Sequence, residues 1–339
     1  MASRWGRQRV YGGEAGVSGE FSEIPVLDVS AIHGGTSADI ARLAERFREV
    51  YSSTGFGYIA GHGIADGLVA DVFAASKNFH ALPADAKMAI ALDGNHRGFI
   101  PIDTSTDVNS TLAEVTKPNQ SESFMMMREN APDGAQVAAG HYLAGPNQWP
   151  ELAGFRETLE AYHRAMVALG DKMVAVFERA LNAEPGSLAA AFDPPTTWLR
   201  LLHYPPTKPA EDVYGSAPHC DFGFLTFLAQ DDVGGLQVMT PSGVWVDAPY
   251  MPGTFVLNVG DMLHRWSNGI LKSTPHRVIN RSGRERYSCP FFYDPHVCTV
   301  IEPLPSCAQG GVQFAPLQFG EFLRGELEAS YDQHAAEKV

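Results

Sequence analysis

From Trp198 onward the hydrophobic pattern of the chain changes its period, and this change restricts the fold more than any other feature. Short β-branched and aromatic runs follow one another: Trp198 to Tyr204, Phe224 to Ala229, Leu236 to Met239, Val244 to Asp247, Phe255 to Val259, His276 to Asn280 and Arg286 to Tyr293. Turn signals separate them at Gly234-Gly235, Pro241-Ser242-Gly243, Pro252-Gly253, Asn268-Gly269 and Ser282-Gly283. Seven or eight short strands at this spacing predict a double-sheet jelly roll or barrel whose mouth can hold a ligand.

The earlier half carries a helical period instead. Ser37 is positioned to cap a helix through about Ser53, with Ile40, Leu43, Phe47 and Val50 on one stripe. A second helix is expected over roughly Asp66 to Ala81, and Pro83 opens a third. Short strands are expected at Ile24 to Val29 and Gly55 to Ile59. Loops with short strands, including Arg97-Gly98-Phe99 and Ser123 to Met127, are expected over 94–150. A long helix over about 152–182 follows, striped by Leu159, Tyr162, Met166, Leu169, Met173 and Val176, which is core packing. A terminal helix is expected from Phe314 to Glu328. The fold class is therefore α+β: a double-stranded β-helix (jelly-roll, cupin-like) core buttressed by N-terminal helices and a C-terminal helix. The expected divisions are a flexible, Gly-rich arm at 1–22, an α/β buttress at 23–182 and the jelly-roll core at 183–339.

Composition removes several function classes. A net charge of −14 and a pI near 5.2 argue against nucleic acid or an anionic membrane as partner. No apolar run reaches membrane-spanning length, and the first residues lack the apolar stretch of a secretory signal. Cys220, Cys289, Cys298 and Cys307 show no zinc-ribbon spacing and are expected as reduced thiols in a cytoplasmic protein. The oligomeric state is not legible.

The chemistry lies in a broken line of three residues. His219 and Asp221 are two apart, so on a strand they project to one side while Cys220 points away. His276, 55 positions beyond Asp221, must arrive on another strand folded alongside. Two imidazoles and a carboxylate can occupy one face of Fe(II) and leave the other open to O2 and a co-ligand. A lone His-x-Asp is more often structural than metal-binding. Ten residues past His276, however, Arg286 and Ser288 again share a strand face. A guanidinium fork beside a hydroxyl suits a carboxylate held in a fixed orientation. The same ligand set could bind zinc, but nothing nearby has the placement of a hydrolytic general base.

The chain resembles the isopenicillin N synthase-like family of Fe(II)/2-oxoglutarate-dependent dioxygenases. The resemblance rests on IPVLDVS and GFGYIAGHGI near the start, and on RLLHYPP, PHCDFGFLTFLAQDDVGGLQV, PGTFVLNVGDMLHRWSNGILKSTPHRVIN and RERYSCPFFYDP in order and spacing. It implies that His219, Asp221 and His276 ligate iron, that Arg286 and Ser288 bind the distal carboxylate of 2-oxoglutarate, and that Tyr204 touches the co-substrate. It further implies release of succinate and CO2 with hydroxylation, desaturation or cyclisation of a small-molecule substrate. Two departures stand out: Leu202 where many plant relatives carry asparagine, and Cys220 in place of a usual threonine. The Arg-x-Ser pair also occurs in isopenicillin N synthase itself, where it holds a substrate carboxylate. An oxidase that does without 2-oxoglutarate, an ethylene-forming enzyme that fragments it, and a non-enzymatic β-barrel binding module are therefore the alternatives. Candidate substrate contacts are Phe292, Arg97, Phe99, Met125, Met127 and Leu323. His203 is placed near the site as a donor to its surroundings, His62 in a structural turn and His264 in strand-end packing.

Overall fold

Two sheets, antiparallel except for the parallel pairing of the first two strands, face each other, and helices cover the outer surface of the larger one. The computed structural model describes residues 20–106, 117–206 and 213–331. In chain order the strands are β1 (Val26–Asp28), β2 (Phe56–Ala60), β3 (Gly98–Ile100), β4 (Glu122–Met127), β5 (Thr196–Tyr204), β6 (Ser216–His219), β7 (Leu225–Gln230), β8 (Leu236–Met239), β9 (Trp245–Asp247), β10 (Thr254–Val259), β11 (His276–Val278), β12 (Arg286–Asp294), β13 (Val300–Ile301) and β14 (Leu317–Gln318). The helices are α1 (Ser37–Ser53), α2 (Asp66–His80), α3 (Ala84–Met88), α4 (Ala135–Ala138), α5 (Phe155–Ala180), α6 (Asp261–Trp266) and α7 (Phe319–Ser330). No helix among the described residues is long and apolar enough to cross a membrane.

The large sheet runs β1-β2-β10-β7-β12-β5-β4-β3 and the small one β6-β11-β8-β9. This is the expected jelly-roll core in an α+β fold. The N-terminal strands do more than buttress it. β2 is inserted between β1 and β10, and β4 and β3 extend the sheet beyond β5. The arm expected at 1–22 lies outside the described residues except for its last three positions.

Alternation along each strand of the large sheet separates two cores. On the inner face, Tyr58, Leu202, Tyr204 and Val256 meet Leu236, Val238 and Val278 of the small sheet. On the outer face, Leu199, Leu201, Phe227, Leu257, Phe291 and Tyr293 join the helical core. Each buried side chain of this kind contributes roughly 1.5–3 kcal/mol.

Helix boundaries follow local chemistry. Thr36, not Ser37, caps α1: it accepts the backbone N–H of Asp39, whose side chain reaches back to the Thr36 N–H in a reciprocal capping box. Phe47 and Tyr51 of α1 then meet Phe177 of α5 at ring separations of 5.3 Å. Close approach of α5 to β12 needs Gly170, because a Cβ there would lie 2.3 Å from the Tyr293 ring. The outer layer thus presses on the strand that carries Arg286 and Ser288 on its other face.

Candidate metal centre

β6 and β11 are antiparallel neighbours with His219 opposite His276, so the register places the two imidazoles side by side, with ring centroids 4.3 Å apart. β6 ends at His219, and Asp221 lies in the turn that leads to β7. The turn still brings its carboxylate to the same point. Asp221 Oδ1 is 3.6 Å from His219 Nε2 and 3.7 Å from His276 Nε2. The Nδ1 atoms face backbone carbonyls, His219 that of Ala217 at 2.7 Å and His276 that of Thr274 at 3.4 Å. A carbonyl on one ring nitrogen fixes the tautomer and leaves the other as a lone-pair donor, which is how metal-binding histidines are held.

Asp221 is oriented as tightly. Its Oδ2 accepts the Thr226 hydroxyl at 2.5 Å and the Asn258 amide at 2.7 Å. Burial alone would raise its pKa. The His276 and His219 imidazoles, together with the Asn258 amide, instead hold it well below the usual carboxylate range. A buried anion flanked by two imidazole nitrogens suits a divalent cation. Neither Thr226 nor Asn258 was among the sequence candidates. Each is a polar residue at an inward position of an apolar strand, and that was the available signal.

Arg286 and Ser288 lie across the same inner face. Arg286 is 1 % exposed; its Nε donates to the Gly234 carbonyl at 2.6 Å and its Nη1 to Ser288 Oγ at 3.3 Å. The guanidinium stacks on the Tyr204 ring at 4.4 Å, and Ser288 Oγ is 3.4 Å from the Tyr204 hydroxyl. Arg286 Nη2 is buried with no hydrogen-bond partner among the described residues. A buried guanidinium donor left without an acceptor is costly, and a carboxylate is the acceptor that fits a fork beside a hydroxyl.

Strand parity sorts the remaining candidates. Phe292 is on the inner face, opposite Thr226 of β7 and Trp198 of β5, and is partly exposed. Met125 and Met127 share that face, opposite Arg200 and Trp198, and are buried. Two candidates need correction. Phe99 belongs to the outer face, where its ring meets Phe79 at 6.0 Å and the Lys87 ammonium at 5.0 Å. Arg97 is wholly buried, and its guanidinium donates to the carbonyls of Asn95, Leu143 and Arg128 and to Asn147 Oδ1. It is a structural staple between distant loops. Leu323 is fully buried, in the larger of the two hydrophobic clusters. His203 also faces outward, bound to Glu122 at 2.8 Å and to Glu285. His264 is in α6, with Nδ1 on the Leu271 carbonyl, and not at a strand end. His62 stacks on Phe255 at 4.3 Å, and Cys220 turns its sulfur toward the Ser273 carbonyl.

A second buried carboxyl adjoins the centre. Asp294 Oδ1 accepts the Phe224 N–H at 2.6 Å, and burial with the nearby Asp221 charge pushes its pKa up to about 8. The turn must pass so closely that a Cβ on Gly223 would lie 1.9 Å from Asp294 Oδ1. Elsewhere, His141 converges with His296 and Cys298 beside a surface cleft at the ends of β4 and β5. None of His219, Asp221 and His276 lines that cleft, whereas Met127 does.

The family model of the 2OG-Fe(II) oxygenase superfamily matches residues 195–295, and that of the non-haem dioxygenase in morphine synthesis N-terminal region matches 24–152. The chain is 38% identical to a 2-oxoglutarate-Fe(II) type oxidoreductase of Emericella nidulans, over 93% of this chain and 92% of the relative. It is 31% identical to a homoarginine-6-hydroxylase of Arabidopsis thaliana, over 92% of this chain and 98% of that one. A Neurospora crassa protein crystallised with alpha-KG and thymine superposes with a TM-score of 0.81 at 27% identity, covering 93% of this chain and 99% of its own.

Proposed function

The chain belongs to the 2OG-Fe(II) oxygenase superfamily and is an Fe(II)/2-oxoglutarate-dependent dioxygenase; from that premise we propose that His219, Asp221 and His276 hold the iron and that Arg286, Ser288 and Tyr204 hold the far carboxylate of 2-oxoglutarate. The observation that carries the second half is the buried, unpartnered Nη2 of Arg286 beside Ser288 and Tyr204. Iron(II), 2-oxoglutarate and O2 together supply the oxidising power, with succinate and CO2 as by-products of oxidising a substrate carbon.

The protein's own groups do the positioning. Thr226 and Asn258 fix the Asp221 carboxylate, and the Ala217 and Thr274 carbonyls fix the ring tautomers. Trp198, Phe222 and Phe292 form an aromatic wall, with ring separations of 6.3 Å and 5.5 Å from Trp198, that would exclude water beside the reacting carbon. Met125 and Met127 lie farther along the same face. The substrate is a small molecule. Relatives named for homoarginine and crystallised with thymine support this class.

The test is anaerobic. Fe(II) is added to metal-free protein and 2-oxoglutarate is titrated while the visible metal-to-ligand charge-transfer band is followed. A saturable band is expected in wild type, with affinity lowered about 10- to 100-fold in Arg286→Ala, as for a lost charge-assisted pair. An unchanged affinity in the variant would remove Arg286 from the co-substrate site.

A further inference from the structure

His141, His296 and Cys298 have no part in the dioxygenase site, yet they form a donor set of their own. One ring nitrogen of each histidine and the Cys298 sulfur lie within 4.8 Å of one another. The chain brings them in from two directions. His296 and Cys298 are two apart in the turn between β12 and β13. That turn is fixed by the His296 N–H on the Ala191 carbonyl at 2.6 Å and the Thr299 N–H on the His296 carbonyl at 2.8 Å. His141 follows α4, where its N–H donates to the Gln136 carbonyl at 3.1 Å. The two imidazoles meet edge to face with ring centroids 4.9 Å apart. Cys298 is a free, exposed thiol and both rings are partly exposed, so a solvated ion can reach all three.

The rings are held as metal ligands are held. The Gln136 side-chain oxygen faces His141 Nδ1 at 2.5 Å and His296 Nε2 at 3.0 Å. An acceptor shared by two rings takes a hydrogen bond from each and leaves the second nitrogen of each ring as a lone-pair donor. The Cys298 backbone N–H agrees with this tautomer, since it donates to His296 Nδ1 at 3.2 Å. Gln136 thus does for this pair what the Ala217 and Thr274 carbonyls do for His219 and His276. The difference lies in the third donor. A sulfur in place of a carboxylate makes the set softer, and two imidazoles with one thiolate suit Zn(II) and not Mg(II), Ca(II) or Mn(II). Of the charged groups near His296, Arg128 opposes a cation and Asp193 favours one, so the thiolate tips the balance.

We propose that His141, His296 and Cys298 bind a second metal ion, Zn(II), with water in the fourth tetrahedral position. Binding removes the proton of the Cys298 thiol, which leaves to solvent. The ion would join the segment after α4 to the turn after β12, beside the cleft that Gln136, His141, His296 and Met127 line. No residue is shared with the iron ligands, so the proposal does not rest on that assignment.

The probe is Co(II), which occupies zinc sites and reports a thiolate ligand by an intense sulfur-to-metal charge-transfer band. The full chain, metal-free and reduced, is titrated anaerobically. His219, Asp221 and His276 also take Co(II) but include no sulfur, and Cys220 turns its own toward the Ser273 carbonyl. The band therefore isolates the second site. A saturable band is expected in wild type and in His219→Ala, and added Zn(II) should bleach it. Cys298→Ser should lose it while keeping the Fe(II)/2-oxoglutarate band, which shows that the loss is local. His141→Ala and His296→Ala should each weaken Co(II) binding at this band, and Gln136→Leu should weaken it about 10- to 100-fold. No band in wild type, a band that persists in Cys298→Ser, or wild-type affinity in both histidine variants overturns the proposal.

Discussion

Asp221 depends on two neighbours that carry no charge. Thr226 and Asn258 occupy the two inward positions closest to its Oδ2, and both donate to it. Groups that orient a ligand typically govern metal affinity by 10- to 100-fold. Asn258→Ala is therefore expected to weaken Mn(II) binding, used as a redox-stable probe, by about 10- to 100-fold with the circular dichroism spectrum unchanged. Wild-type affinity in this variant would show that Asp221 needs no second donor. At the same scale, the spacing of His219, Asp221, His276, Arg286 and Ser288 was legible because a period of two dictates which side chains share a face. The same parity places His203 opposite in sense to Tyr204, so its outward orientation was available in principle. The partners of Arg97 were not. They come from Leu143, Asn147 and Arg128, and no local pattern links those positions.

Elements are coupled through a polar cluster on the outer face. Glu122 of β4 accepts from His203 of β5 at 2.8 Å and from Lys87 of α3 at 2.8 Å, and His203 stacks on Tyr287 of β12 at 4.8 Å. Burial works against the Glu122 anion, but the His203 and Lys87 hydrogen bonds outweigh it and lower its pKa from 4.5 to about 2. A depressed carboxyl stabilises the fold above its unfolded value, and that stabilisation is lost as pH falls through the folded one. Glu122→Gln should cost about 1–3 kcal/mol at pH 7. Its melting deficit should shrink as pH drops from 4.5 toward 2. A deficit independent of pH would mean that packing, not charge, is what Glu122 contributes. His203 has the opposite sense. Burial lowers its pKa, the bonds to Glu122 and Glu285 more than compensate, and the raised value means its share is lost as pH climbs through it. Helices α1, α2 and α5 were legible from apolar stripes, and the strands from turn residues. The order of the strands was not, since β2 pairs with β10 across nearly two hundred residues of chain.

For the whole molecule, ligand binding and stability are linked. The site draws on the small sheet, β7, β10, β5 and β12, so a bound metal and co-substrate would tie both sheets together. Mn(II) with 2-oxoglutarate, each near 100 times its dissociation constant, should stabilise the fold by about 2.7 kcal/mol per ligand and raise the melting midpoint by several degrees. Arg286→Ala should retain the metal increment and lose most of the 2-oxoglutarate one. A midpoint in wild type that ignores both ligands would contradict the site. Anchoring and selection have separate origins in this architecture. The ion ligands come from β6, β11 and the turn after β6, whereas the inward candidates for substrate contact, Phe292, Met125 and Met127, come from β12 and β4 of the large sheet. A change of diet could therefore be written into one sheet of the molecule while its engine stayed untouched, and a segment of that sheet transplanted between relatives is where an engineer would begin.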